Sequence, residues 1–146
     1  MENNPPHIRT ASPALKDLVF AAVDHAMAML KKHNTTLQPY ALVNNDAKTQ
    51  IQLFHPEDLA QSVEMFEKTM TQLNPKPDNV VFCSDGFISN GEARFDAVLV
   101  RAYDKQDKHC YLLAQRYKHA TESSEFEVLG NPVFLDAPAN ELTFGK

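Results

Sequence analysis

Glycine is scarce in this chain: Gly86, Gly91, Gly130 and Gly145 are the only four in 146 residues. A P-loop or a dinucleotide-binding turn needs several glycines at short fixed spacing, so that bare backbone can approach phosphate oxygens. Neither spacing occurs, and there is no Gly-x-Ser-x-Gly elbow to present a nucleophilic serine. No run of about 18 apolar residues exists, so no helix is expected to cross a membrane. The opening Met1-Glu2-Asn3-Asn4-Pro5-Pro6 lacks the basic start and apolar stretch of a secretory signal. Cationic charge is also short, with a net charge of −5 that suits no phosphate-tracking surface, and no nucleic-acid partner is expected. The six histidines (7, 25, 33, 55, 109 and 119) show no His-x-x-x-His spacing and no Cys-x-x-Cys context. No metal site and no cofactor are therefore expected. The two cysteines, Cys83 and Cys110, each lie in a strand-like run and read as inert, reduced thiols of a cytoplasmic protein.

What is present is the pattern of an ordinary folded domain, 43% hydrophobic and 23% charged. A chain of this size buries about two-thirds of its unfolded surface and needs no disulfide to fold. Residues 1–11 read as a flexible polar arm, and residues 12–146 as one domain. Ser12-Pro13 opens a helix, with serine as cap and proline at the first helical position. Leu15, Leu18, Val19, Ala22, Val23, Ala26 and Leu30 then recur at three- and four-residue steps on one face. Lys31, Lys32 and His33 suit the negative end of the helix dipole, and Asn34 suits a left-handed cap.

Tyr40–Val43 and Thr49–Phe54 flank an Asn-rich turn and read as a hairpin. A second helix is predicted from Pro56, with Glu57 and Asp58 in its first turn. Leu59, Val63, Phe66, Met70 and Leu73 form its stripe, and Asn74-Pro75-Lys76-Pro77 ends it. Strands follow: Val80–Cys83, Phe87-Ile88 between Asp85-Gly86 and Asn90-Gly91 turns, Arg94–Tyr103, His109–Tyr117, then Phe126–Leu129 and Val133–Leu135 around Gly130-Asn131-Pro132. The predicted class is α+β, in the order α-β-β-α-β-β-β-β, with both helices on one face of a mostly antiparallel sheet.

The pattern Asp85-Gly86, Gly91, Arg94, Asp96-Ala97 and Ala114-Gln115-Arg116-Tyr117 resembles a group of small bacterial α+β proteins of unknown function. The resemblance implies a bacterial cytosolic domain and carries no activity to transfer.

Three carboxylates, Asp85, Glu92 and Asp96, fall within twelve residues beside Arg94. Carboxylates held in different environments can divide acid and base roles. The ordinary alternative is a turn aspartate, a solvated glutamate and a structural ion pair. Asp96 stands in an apolar run, where a carboxylate requires a partner. Arg116 and Arg94 are its candidates, and Arg94, Asp96, Gln115 and Arg116 together form the expected ligand-binding set. Residues 101–120 carry Arg101, Lys105, Lys108, Arg116 and Lys118 against Asp104 and Asp107, a net +3. Residues 121–146 carry Glu122, Glu125, Glu127, Asp136 and Glu141 against Lys146, a net −4. Cross-strand pairing of the two segments explains this without a ligand.

The late strands are apolar on both faces, which implies cover beyond two helices on one side. The leading expectation is a non-enzymatic module that binds a partner, a small ligand or a second copy through the second face of its sheet. The alternative is a small hydrolase or isomerase in which the carboxylate cluster works with Arg116 as anion clamp. A role in blocking a partner, as effector or immunity proteins do, is neither supported nor excluded by the sequence.

Overall fold

The computed structural model describes residues 7–46, 48–55, 61–73, 76–89 and 91–140. Helix α1 spans Pro13–His33. The Ser12 hydroxyl accepts the Leu15 N–H at 3.2 Å, closing the N-terminus. At the other end Asn34 adopts φ +50°, and its N–H donates to the Leu30 carbonyl at 2.8 Å. Both caps lie where serine and asparagine chemistry puts them. The predicted stripe is buried in full, joined by Met27. Each large apolar side chain in it contributes about 1.5–3 kcal/mol by leaving water.

The strands are β1 (Tyr40–Asn45), β2 (Lys48–Leu53), β3 (Asn79–Ser89), β4 (Arg94–Asp104), β5 (Tyr111–Lys118) and β6 (Glu127–Asp136). They form one antiparallel sheet in the order β2-β1-β3-β4-β5-β6. Helix α2 spans Ser62–Thr71 between β2 and β3, so the element order is the predicted one apart from a short 3-10 helix, Ile8–Thr10, ahead of α1. The predicted start of α2 at Pro56–Leu59, the Asn74-Pro75 stop and the Asn90 turn position lie outside the described residues.

Three local readings change. Asp85-Gly86 is not a turn: β3 runs straight through it, and the chain reverses after Ser89, near Gly91 with φ +92°. Gly86 is there for packing. A Cβ at this position would lie 2.6 Å from Leu99 Cδ1, so bare backbone lets Leu99 lie across the sheet. β6 is one strand that passes through Gly130 (φ +72°) and Pro132, with two register shifts against β5. Finally, residues 7–11 are packed: Ile8–Thr10 form a 3-10 turn, Ala11 is buried, and the His7 ring lies 4.1 Å from that of Phe134.

The helices take opposite faces instead of sharing one. Side chains alternate along a strand. Val81, Cys83, Val98, Val100, Ala102, Tyr111, Leu113 and Tyr117 pack with α1 in one cluster. Val80, Phe82, Tyr103 and Cys110 pack with Phe66 and Met70 of α2 in the other. Phe66 stacks on Phe82 with ring centroids 4.5 Å apart. The two-sided greasiness of the middle strands thus follows from having a helix on each side. α1 has 21 residues and lies chiefly over β3, β4 and β1; α2 has 10 and packs on Ala41, Val43, Val80, Phe82 and Tyr103 of the other face.

Candidate functional site

Strand register decides which of the expected residues meet. Asp96 sits opposite Phe87 on β3 and Tyr117 on β5, whereas Arg116 sits opposite Ala97. Directly opposed residues share a face. Asp96 and Arg116 therefore point to opposite sides of the sheet, and the predicted pair does not form. Arg94 shares the face of Asp96 and lays its guanidinium 3.8 Å from the Phe87 ring centroid, a cation–π contact. Asp96 is exposed, which removes the need for a buried partner. Glu92 lies in the exposed loop before β4. Gln115 is 2% exposed and spans an irregularity between β5 and β6. Its amide donates to the carbonyls of Arg116 and Gly130, both at 3.1 Å. It ties the two strands together at that junction.

Asp85 is engaged in a way its sequence context does not announce. On the α1 side of the sheet its Oδ2 accepts the Leu37 N–H at 2.8 Å. Its Oδ1 accepts the Tyr117 hydroxyl at 2.8 Å and the Gly86 N–H at 3.0 Å. Burial, and then that carboxylate contact, push the Tyr117 phenol well above its usual range. The His119 ring meets Tyr117 edge-on at 5.0 Å. Nearby, the Asn34 side chain exchanges two hydrogen bonds with the Ala120 backbone. Together these contacts latch the α1–β1 connection onto β3 and the end of β5. Asp85 is a structural acceptor that receives three donors.

The cysteines are buried, as expected of inert thiols. Burial pushes Cys83 up to about 12, and it raises Cys110 as well. A thiolate is disfavoured at both positions. Among the described residues no group of three His, Cys, Asp or Glu side chains could hold a metal ion. No helix of the described residues is long and apolar enough to cross a membrane.

The face carrying α2 presents a different kind of surface. Beyond the helix, Ile88, Phe95, Leu99 and Leu129 are half-exposed and Val133 is 37% exposed; none joins either core cluster. Ala97 and Ala114 are fully buried among them. Arg116 lies in the middle of this patch, its guanidinium carbon 5.3 Å from the Phe95 ring centroid. Its Nε is buried and has no hydrogen-bond partner among the described residues. Arg101 and Lys118 share the face, the latter opposite Glu127. Of the expected ligand-binding set only Arg116 lies on this face; Arg94, Asp96 and Gln115 lie on the other. Two surface clefts lie on the α1 side, one of about 350 Å³ bordered by His25, Met29 and Leu53, the other of about 460 Å³ bordered by Val19, Phe20 and Leu113. Neither takes in a predicted site residue.

No family model matches this chain, and neither curated proteins nor solved structures contain a match.

Proposed function

We propose that this protein is a non-enzymatic binding module whose working surface is the part of the α2-bearing face that α2 leaves open. Arg116 carries the proposal. A guanidinium in an apolar patch, with a buried Nε that has no acceptor among the described residues, has the character of an interface anchor. The favoured occupant is a protein segment that offers apolar side chains to Ile88, Phe95, Leu99 and Leu129 and a carboxylate to Arg116. Arginine pairs with a carboxylate in a planar, two-pronged geometry that lysine does not reproduce. The same proposal places the protein in a reducing cytoplasm, in keeping with two separate free thiols.

The enzyme reading required Arg116 to clamp an anion beside Asp85 and Asp96. That arrangement has no support in a sheet that turns Arg116 away from both. Peptide display against the folded protein tests the binding module. Peptides selected on the wild type should combine Asp or Glu with flanking apolar residues, and should lose binding on Arg116→Ala by roughly 10-fold or more. Selected peptides that bind Arg116→Ala equally well, or that carry no acidic residue, would remove the proposal.

A further inference from the structure

The two edges of the sheet differ in how they are protected. An edge strand exposes unpaired N–H and C=O groups and invites another strand, unless charge, proline or a bulge blocks it. β6 is blocked: it carries Gly130 and Pro132 and two register irregularities. β2 carries none of these. All six of its residues are exposed, its sequence Lys48-Thr49-Gln50-Ile51-Gln52-Leu53 alternates cleanly, and Lys48 at the end is its only charge. Ile51 and Leu53 are each 48% exposed on the α1 side. A regular edge with an apolar row and no block is a pairing surface.

We infer that β2 pairs with β2 of a second copy of this chain, antiparallel about a two-fold axis through Ile51. The register follows from geometry. Antiparallel neighbours related by a two-fold keep like faces on the same side, so the axis must pass through a residue and not between two. Two such registers keep five β2 residues of each strand paired. Centring on Gln50 sets Ile51 against Thr49 and leaves Leu53 outside the pairing. Centring on Ile51 sets isoleucine against isoleucine on the axis and Leu53 against Thr49 on the same face. Gln50 then meets Gln52 on the other face, and Lys48 meets no charge. A foreign strand would have no such built-in match, which is why a second copy is the chosen occupant. Because β6 is blocked, each copy has one open edge, and association closes at two chains in place of growing into a filament.

This interface is narrow and belongs to the weak, concentration-dependent class. Sedimentation velocity from low to high micromolar concentration should show the 16.4 kDa chain giving way to a species of twice that mass. Ile51→Lys sets two like charges against each other on the axis and should hold the protein monomeric with an unchanged far-UV spectrum. Ile51→Cys should form an interchain disulfide on exposure to oxidised glutathione, two thiols losing two protons and two electrons to the glutathione disulfide. Cβ atoms directly opposed across a strand pair are close enough for that bond. Leu53→Cys, which faces Thr49, should not crosslink. Both native cysteines are buried and give little background. A wild type that stays at the monomer mass throughout, or a Leu53→Cys protein that crosslinks in place of Ile51→Cys, overturns the inference. Arg116→Ala should leave the mass distribution unchanged, which separates this edge from the proposed partner surface.

Discussion

All four tyrosines of the chain, Tyr40, Tyr103, Tyr111 and Tyr117, are at most 3% exposed. Burial is the leading cause that raises each phenol above its ordinary value of 10.0. Hydroxyl-to-carboxylate contacts add to it at Tyr111, through Asp107, and at Tyr117, through Asp85. Cys83 is raised from 9.0 to about 12 in the same way. These five groups therefore hold protons that the unfolded chain releases at lower pH. A raised folded-state value means that the stabilisation is complete below the unfolded value and is lost as pH rises towards the folded one. Each such group costs about 1.4 kcal/mol of stability per pH unit once its unfolded form has ionised. With all five engaged above pH 10, the slope reaches roughly 7 kcal/mol per pH unit. A domain of this size has roughly 5–15 kcal/mol to lose, so it should unfold within about two pH units above 10. The assay is an alkaline titration followed at 295 nm for tyrosinate and by far-UV circular dichroism for structure. The expected result is one step, in which tyrosinate absorbance appears only as the dichroism collapses. Absorbance that rises smoothly with a midpoint near 10, while the dichroism stays native, would refute the argument.

Two further outcomes follow from close contacts. Gly86→Val drives a branched side chain into Leu99 and should destabilise by about 1–3 kcal/mol in urea denaturation, whereas a second change, Leu99→Ala, should recover part of that loss; strictly additive costs would mean that the two sites are independent. Asp85→Ala strands the Leu37 N–H and the Tyr117 hydroxyl and should cost about 2–4 kcal/mol, while exposed Asp96→Ala should cost under ~0.5 kcal/mol; similar small values for both would remove the latch assigned to Asp85.

What the sequence made legible is what local chemistry decides. Ser12, Pro13 and Asn34 mark the limits of α1 because capping is a matter between neighbours in the chain. The β1–β2 hairpin reads correctly for the same reason, with Asp46 at φ +54° in the turn. Gly86 misled because its reason is distant: a glycine next to an aspartate looks like a turn, while the demand for it comes from Leu99 on the neighbouring strand. The placement of the helices was partly written in Val80-Val81-Phe82-Cys83. Four apolar residues in succession mean a strand covered on both sides, which two helices on one face cannot provide. The Asp96–Arg116 pairing failed on register, which sets Arg116 beside Ala97, and no single-strand pattern contains that offset.

The two surfaces singled out here are also related by geometry. The proposed two-fold axis through Ile51 would stand perpendicular to the sheet, so it would turn the second copy in the plane without flipping it. Both α2-bearing faces then look the same way. Each Arg116 lies on β5, four strands from β2 in its own copy, so the two patches occupy opposite wings of one continuous sheet. A partner with a single acidic, apolar segment would meet one patch and be indifferent to pairing at the edge. A partner that displays the segment twice would be held by both, and the second contact would raise its affinity through effective concentration, without any new residue in the interface. The proposed pairing at β2 would then gain from such a module's partner: a bivalent segment that grips both wings would itself stabilise the two-chain form.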